Sequence, residues 1–352
     1  MEALKNNDHF IYFESGLNPL KEILAQKKYS KIFVFADSTT SELCLPVFKD
    51  FLPEIDHFDI IETDPGEENK NIDFCIGIWK TLLDFEADRK CLMINLGGGV
   101  ITDMGGFVAS TYKRGIDFIN IPTTLLSQVD ASVGGKTGID IDHVKNMVGT
   151  FSLPQAVFIE NAFLQTLPQR ELLSGFAEMI KHGLIADADY YYQLKNADGI
   201  TANAEAIYHS VQIKNNVVLE DPFEKGLRKI LNFGHTIGHA IEGYALVHDK
   251  MPLTHGEAIA IGMICEAYLS AKYCNLTPDE LDEISSYIKS VYPKYHIQPK
   301  SFENLVGLMQ SDKKNEDGHI LFSLLEQIGK CTFNCRVTKE DIFNSLMYYN
   351  NL

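Results

Sequence analysis

A glutamate and two histidines in the second half of the chain have the side-chain types that a divalent metal ion prefers. Glu178 lies in AEMIKHG, His235 lies in GHTIGHA and His255 lies in LTHGEAIAIGM. Catalytic zinc commonly takes three nitrogen or oxygen ligands from the protein and keeps one position open. We therefore predict a metal site formed by Glu178, His235 and His255. His239 lies one helical turn after His235, so the spacing would also allow it to bind.

Three glycines, residues 97–99, join the apolar run CLMINL to VITDMGGFVAS, which has the pattern of a helix. A turn of this kind aims backbone N–H groups and a helix N-terminus at a phosphate. The string is not G-x-G-x-x-G, because its sixth position is Thr102. The glycines alone are therefore compatible both with a nucleotide site and with a plain strand-to-helix turn. PGEENK, residues 65–70, adds an acid after a predicted strand, where ribose hydroxyls could be held.

Several cationic and amide side chains lie beside glycines or on segments that carry or precede the candidate metal ligands. They are Arg114, Lys136, Lys145, Asn146, Lys181, Lys214, Arg228 and Asn232. In a chain whose formal net charge is −17, this set favours an anionic substrate with two charged ends. The overall charge itself argues against nucleic acid and anionic membrane surfaces as partners.

The chain has 352 residues, 45% of them hydrophobic, which is enough for two cores, since single cores stop growing at about 250–300 residues. The start, MEALKNNDHF, lacks a secretory signal pattern, and no window reaches the roughly 18 apolar residues that span a bilayer. The seven cysteines are scattered and odd in number, which argues against a disulfide framework. We therefore expect a cytoplasmic protein.

Short apolar runs alternate with amphipathic segments in the first half of the chain. Strands are predicted over 31–37, 57–63, 91–99, 118–124 and 156–160, and helices over 41–52, with Pro46 inside it, and 71–85. This alternation predicts a parallel α/β sheet. From about Leu167 helical periodicity dominates, and Thr254 to Glu257 forms a capping-box pattern that places His255 in a first helical turn. We predict an α/β domain over 1–167 and a helical, metal-binding domain over 168–352.

Six motifs together resemble those of the 3-dehydroquinate synthase family, within the sugar phosphate cyclases. They are GGGVITDMGGFVAST, IPTTLLSQVDASVGGKTGID, KNMVGTF, GFAEMIKHGLI, GLRKILNFGHTIGHA and HGEAIAIGM, and the resemblance runs from about Asp37 to Lys314. It implies a Rossmann-like N-terminal domain that binds NAD and a helical C-terminal domain that binds Zn²⁺ or Co²⁺. The implied reaction converts 3-deoxy-D-arabino-heptulosonate 7-phosphate, a phosphorylated sugar acid, to 3-dehydroquinate and phosphate in the shikimate pathway. NAD is reduced and reoxidised within one turnover, so the net reaction is that of a lyase.

The resemblance also implies a role for each matching residue. Phosphate-binding positions are matched by Lys136, Asn146, Lys181 and Lys313 or Lys314. The positions around the substrate carboxylate and hydroxyls are matched by Lys214, Arg228 and Asn232, and a proton-handling pair by His239 with Glu224. Arg114 matches a residue that reaches in from a neighbouring subunit, which implies a homodimer. Asp130 and Lys145, with Lys136, match positions between nicotinamide and substrate. The remaining NAD contacts are matched by Asp37, Glu67, Lys70, Gly98, Gly99, Asp103, Thr123, Thr124, Leu126 and Thr166.

Three alternatives stay open at this point. Another sugar phosphate cyclase, such as 2-deoxy-scyllo-inosose or 2-epi-5-epi-valiolone synthase, would share the fold, NAD and metal. Arg228 with Asn232 favours a carboxylated substrate over those sugars. An iron-type alcohol dehydrogenase would accumulate NADH in proportion to product. A non-catalytic NAD-binding sensor would have no need for the metal and phosphate residues.

Overall fold

The computed structural model describes residues 1–6, 9–53, 55, 57–141, 144–310 and 320–352. The chain divides into two compact units that interleave along the sequence. The first unit comprises Met1–Pro168 and Ala202–Asn215, and the second comprises Gln169–Thr201 and Asn216–Leu352. Among the described residues, no helix combines the length and apolar character needed to cross a membrane.

The described part of the chain contains 11 strands and 13 α-helices. The strands are β1 (Leu4–Asn6), β2 (His9–Phe13), β3 (Ile32–Asp37), β4 (Asp59–Thr63), β5 (Leu92–Gly97), β6 (Asp117–Pro122), β7 (Lys136–Ile141), β8 (Val144–Phe151), β9 (Ala156–Ile159), β10 (Leu321–Gln327) and β11 (Lys330–Arg336). The helices are α1 (Asn18–Gln26), α2 (Ser38–Leu43), α3 (Leu45–Phe51), α4 (Ile72–Asp84), α5 (Gly99–Thr111), α6 (Gln169–Ala186), α7 (Ala188–Lys195), α8 (Ala204–Glu220), α9 (His235–His248), α10 (His255–Tyr273), α11 (Pro278–Val291), α12 (Phe302–Gln310) and α13 (Lys339–Asn351).

The first unit is built on a sheet whose described strands have the order β1-β2-β9-β6-β5-β3-β4. All neighbouring pairs are parallel except β1 with β2. From β3 the chain moves outward to β4 and then returns to the other side of β3 as β5. The chain therefore reverses its direction of travel between β3 and β5, and such a switch point is where doubly wound sheets bind ligands. The predicted α/β class and each of the five predicted strands are confirmed, within two residues at their ends.

Apolar side chains cover both faces of this sheet, which explains the continuous hydrophobic runs in the sequence. Phe33 and Phe35 of β3 point into a cluster that includes Ile78 of α4 and Met104 of α5. Val34, between them, belongs to a second cluster on the opposite face, with α1 and α3. Because a central parallel strand is buried on both sides, its sequence carries no alternation of polar residues.

The second unit is mainly helical, as predicted, and consists of α6, α7, α9 to α13 and the end of α8, with the antiparallel hairpin β10–β11. The predicted capping box is present: Thr254 accepts from the backbone N–H of Glu257, and the Glu257 carboxylate accepts from that of Thr254. His255 is therefore the first residue of α10.

The predicted single helix over 41–52, in the first unit, is wrong. α2 and α3 meet at Cys44, and Pro46 lies in the first turn of α3, where its missing N–H costs nothing.

Candidate functional site: a metal pocket and a nucleotide edge

The three predicted metal ligands come together in the second unit. Glu178 lies in the middle of α6 and is fully buried, while His235 and His255 are the first residues of α9 and α10. Glu178 Oε1 lies 3.4 Å from His235 Nε2 and 3.5 Å from His255 Nε2. Ligand atoms placed about 2.0–2.1 Å from a tetrahedral zinc ion are about 3.3–3.4 Å apart. The spacing of these three side chains therefore fits such an ion.

The orientation of both imidazoles supports the same conclusion. His235 Nδ1 lies 3.1 Å from the carbonyl oxygen of Phe233, and His255 Nδ1 lies 3.4 Å from Glu242 Oε2. Metal-binding histidines usually donate their second ring N–H to a carbonyl or carboxylate, which fixes the tautomer. Here each Nδ1 faces an acceptor, so each Nε2 is left to present its lone pair beside Glu178.

Electrostatics also favour a cation in this pocket. Burial by itself would lower the pKa of His255, but the charge of Glu242 and the hydrogen bond with Glu178 outweigh it and raise that pKa to about 9. The two carboxylates thus stabilise positive charge at this position, whether it is carried by an imidazolium or by a divalent ion. The donor set and its surroundings fit a metal.

Two further predicted residues border these ligands. The ligand atoms of His235, His239 and His255 all lie within 4.8 Å of one another, and His239 is half-buried. Lys181 is almost fully buried, and its ammonium contacts Glu178 Oε2, the carboxylate oxygen that does not face the histidines. Lys181 therefore helps to orient the carboxylate that the two histidines share.

Glu242 is a site residue that the sequence prediction missed. It is buried on α9 and accepts from His255, so it positions a candidate ligand that belongs to another helix. A helical-face count would have found it, because His235, His239 and Glu242 are spaced i, i+4, i+7.

Two of the three residues matched to the substrate carboxylate and hydroxyls lie just before α9, and the third, Lys214, lies on α8. Arg228 and Asn232 belong to a 3₁₀ segment, Leu227–Asn232, and Arg228 is buried. The Arg228 guanidinium donates to the carbonyl of Pro222 at 2.7 Å, and Asn232 Nδ2 donates to Glu224 Oε1 at 2.8 Å. Glu224, matched to a proton-handling role with His239, is thus held by Asn232.

The glycine turn joins β5 to α5 in the first unit. A Cβ on Gly97 would lie 2.6 Å from the Ile101 side chain, and one on Gly98 would lie 3.0 Å from Thr124 Cγ2. Gly97 is therefore required for packing between strand and helix, with or without a ligand. The argument for a nucleotide depends on where the turn lies, which is the carboxyl end of β5 at the switch point.

The other residues matched to NAD lie at the carboxyl ends of parallel strands or in the segments that follow them, at the same edge of the sheet. Asp37 ends β3, where it also caps α2 by accepting from Thr40 N at 2.8 Å. The remaining positions are Glu67 and Lys70 after β4, Gly98, Gly99 and Asp103 after β5, Thr123, Thr124 and Leu126 after β6, and Thr166 after β9. A set gathered from five strands at one edge is what a dinucleotide site in this fold requires.

A buried lysine joins three parts of this edge, which we call the nucleotide edge. Lys70 Nζ lies 2.7 Å from Asp103 Oδ2 and 2.7 Å from Asn146 Oδ1. Burial would lower the pKa of Lys70, but the charges of Asp103, Glu67 and Asp140 raise it, so the ammonium stays protonated. Asp140, which the sequence prediction missed, accepts from Asn146 N at 2.7 Å. Burial raises the pKa of Asp140 to about 6.

The remaining predicted residues occupy separate positions in the first unit. Lys214 donates to Asp130 Oδ1 and to the Asp130 carbonyl, both at 2.6 Å. Lys145 lies 3.6 Å from Glu67, whereas Lys136 begins β7 and is exposed. Arg114 is exposed in the turn after α5. Lys313 and its alternative Lys314 lie outside the described residues.

Comparison with solved structures identifies the broad class of enzyme to which the fold belongs. The structure is similar to that of a 2-deoxy-scyllo-inosose synthase, with a TM-score of 0.86, 23% identity and 99% of each chain covered, which shows the fold. It is also similar to a 2-epi-5-epi-valiolone synthase from Streptomyces hygroscopicus, solved with NAD⁺ and Zn²⁺, with a TM-score of 0.82, 26% identity, and 100% of this chain and 99% of that chain covered. The class is that of enzymes that cyclise sugar phosphates.

The family is narrower than the class. The N-terminal family model of 3-dehydroquinate synthase matches residues 60–174, and the C-terminal family model matches residues 175–315. The 3-dehydroquinate synthase of Parabacteroides distasonis is 45% identical over 334 residues, which cover 94% of each chain. This chain belongs to the 3-dehydroquinate synthase family.

Proposed function

We propose that this chain converts 3-deoxy-D-arabino-heptulosonate 7-phosphate to 3-dehydroquinate and inorganic phosphate, as an enzyme of the shikimate pathway. The observation that carries the proposal is the convergence of Glu178, His235 and His255 at tetrahedral spacing, in a chain 45% identical to a 3-dehydroquinate synthase. When bound, NAD would supply reversible hydride transfer at C5 of the substrate, and Zn²⁺ or Co²⁺, held by Glu178, His235 and His255, would supply Lewis acidity to neighbouring substrate oxygens.

The protein side chains hold the substrate and move protons. Lys136, Asn146, Lys181 and Lys313 bind the phosphate, and the three lysines neutralise its charge as it leaves. Lys214, Arg228 and Asn232 hold the carboxylate and hydroxyls, which fixes the sugar relative to the cofactor. His239, with Glu224, accepts and returns a proton at the substrate. Asp130 and Lys145 orient the nicotinamide and the substrate towards each other.

The proposal also covers the two domains, the cellular location and the oligomeric state. Residues 1–167, together with the segment Ala202–Asn215 that belongs to the same unit, form the NAD-binding domain, and the rest of residues 168–352 form the metal- and substrate-binding domain. The enzyme acts in the cytoplasm as a homodimer, in which Arg114 of one subunit contributes to the site of the other. Sedimentation of the purified protein tests the dimer. Mixing an Arg114→Ala chain with a chain inactivated at His255 tests the exchange, because subunits that share Arg114 restore part of the activity.

The decisive experiment measures phosphate release from the heptulosonate phosphate with zinc and trace NAD, while absorbance of NADH is followed. Many phosphates released per NAD, without lasting NADH, support the proposal. Stoichiometric NADH would instead indicate an alcohol dehydrogenase, and bound NAD and zinc without turnover would indicate a sensor. Glucose 6-phosphate and sedoheptulose 7-phosphate are assayed in parallel. A higher kcat/KM with either one would contradict the proposed substrate.

A further inference from the structure

A second buried carboxylate lies in the second unit beside the first turn of α9. Glu266 of α10 is fully buried, and both of its oxygens accept backbone hydrogen bonds. Glu266 Oε2 accepts from Gly234 N at 2.7 Å, and Oε1 accepts from Ile237 N at 3.0 Å. These two N–H groups bracket His235. The carboxylate is therefore hydrogen-bonded to the backbone on both sides of this candidate metal ligand.

The first turn of α9 needs such a partner. Helix N-termini leave N–H groups unpaired, and a side chain at the N-cap usually accepts from one of them. The N-cap of α9 is Gly234, at φ 79°, which has no side chain to do so. Glu266 supplies the cap from another helix, and its negative charge complements the positive end of the α9 dipole.

Close contact between the helices makes this cap rigid. A Cβ on Gly262 of α10 would lie 1.9 Å from the carbonyl oxygen of Gly234, and one on Gly238 would lie 3.1 Å from the carbonyl of Ala258. The backbones thus touch where a larger residue would separate them. Because interiors are close-packed, α9 cannot shift along α10 without losing both hydrogen bonds to Glu266.

α10 consequently carries one candidate ligand, His255, and the residue that caps the helix of another, Glu266. His255 begins this helix and Glu266 follows 11 residues later, about 16 Å along the axis. We propose that Glu266 is a positioning residue for the metal site, which sets the place of His235 relative to His255 by capping α9 from α10. This inference rests on the proposed metal site.

The test is zinc affinity, measured by chelator competition on the full-length protein. Glu266→Gln keeps the size of the side chain but puts an NH₂ group where an acceptor is needed. We expect zinc binding to weaken by at least about 10-fold, as for other residues that orient metal ligands. The visible spectrum of the cobalt-loaded protein should change with it, because the bands report ligand geometry. NAD affinity should be unchanged.

Glu280→Gln is the matched control. Glu280 also accepts a backbone N–H from a distant segment, that of Ile328 at 3.0 Å, and it caps α11. We expect this variant to lose a similar amount of thermal stability while it keeps the zinc affinity and cobalt spectrum of the parent.

The outcomes separate the two proposals. If Glu266→Gln folds and binds zinc within about threefold of the parent, with an unchanged cobalt spectrum, the positioning role is overturned while the metal site stands. If the parent itself binds no zinc, both are overturned. If Glu266→Gln does not fold, Glu266→Asp, which keeps the charge but shortens the reach, is measured in the same way. Failure of both variants to fold would mean that the carboxylate serves folding and would overturn the positioning role.

Discussion

The metal pocket and the nucleotide edge bring residues that are distant in sequence together in different ways. In the metal pocket, three side chains from three helices meet through contacts of 3.4 and 3.5 Å; Glu178 and His235 are buried and His255 is half-buried. At the nucleotide edge, Lys70 contacts Asp103 and Asn146, but the residues as a set are brought together by their place at the ends of parallel strands. The pocket thus depends on side-chain packing, whereas the edge depends on backbone topology. Single substitutions should therefore damage the pocket more than the edge.

The largest effect is expected for His255→Ala. It removes one of three ligands, so the variant should lose its equivalent of zinc, and kcat should fall by about 10³-fold, equivalent to several kcal/mol of metal catalysis. Metal analysis and the phosphate-release assay measure both. His248→Ala is the control, because this exposed histidine at the end of α9 bonds only locally to the Tyr244 carbonyl. A full equivalent of zinc retained by His255→Ala would remove it from the ligand set.

Lys136→Ala tests the other region. The exposed ammonium at the start of β7 should bind the substrate phosphate, and its loss should lower kcat/KM by about 10- to 100-fold, the value of a charge-assisted hydrogen bond. Zinc content should not change, because Lys136 belongs to the first unit. Lys80→Ala, at an exposed position on α4, serves as the control. Wild-type kinetics in Lys136→Ala would exclude it from the active site.

Glu242→Gln sharpens the contrast within the pocket, because it leaves all three ligands intact. Loss of the carboxylate beside His255 Nδ1 should weaken zinc binding by about 10- to 100-fold. Chelator competition measures the affinity, and NAD binding to the same sample shows whether the rest of the protein is undisturbed. Zinc affinity equal to that of the parent would mean that the contact at 3.4 Å does not tune the ligand.

The smallest effect is expected at Asp140 on the nucleotide edge. Its pKa is raised to about 6, above the ordinary value of 3.8, so the folded state binds its proton more tightly than the unfolded state does. Asp140 therefore lowers stability as the pH rises through this interval. The free energy of unfolding of Asp140→Asn, relative to the parent, should increase between pH 4 and pH 7 and then level off. Denaturant titrations across that range test the sign. A difference that stays constant with pH would contradict it.

The sequence predicted the parts of the fold that depend on local pattern. The strands β3 to β6 and β9, the helix α5 and the cap at Thr254 all follow from hydrophobic runs and short-range hydrogen bonds. The hairpins β7–β8 and β10–β11 were not predicted, because one strand of each is exposed, β8 largely and β11 partly, and so carries a weak apolar signal. The break at Cys44 was missed for a different reason, since a proline inside an apolar pattern marks either a kink or a new start.

The site residues also divide into those that the sequence predicts and those that it does not. Glu178, His235 and His255 are side-chain types that suggest a metal by themselves. Glu242 and Glu266 do not, because a glutamate in a helical pattern is usually exposed. Glu242 shares a helical face with His235 and His239, whereas Glu266 gains its role only from the packing of α9 against α10. Asp140 was missed because its partner is a backbone N–H, and such a bond leaves no mark in residue spacing.

The interleaving of the two units has a consequence for synthesis on the ribosome. The first unit is incomplete until Asn215 emerges, and a buried hydrogen bond from Asn6 joins the N-terminal strand to that late residue. The helices α6 and α7, which belong to the second unit, are made in between. The nascent chain must therefore keep them apart from the unfinished sheet for about 50 residues of translation, several seconds at ordinary elongation rates. A slow stretch of codons after residue 215 would give the first unit time to close.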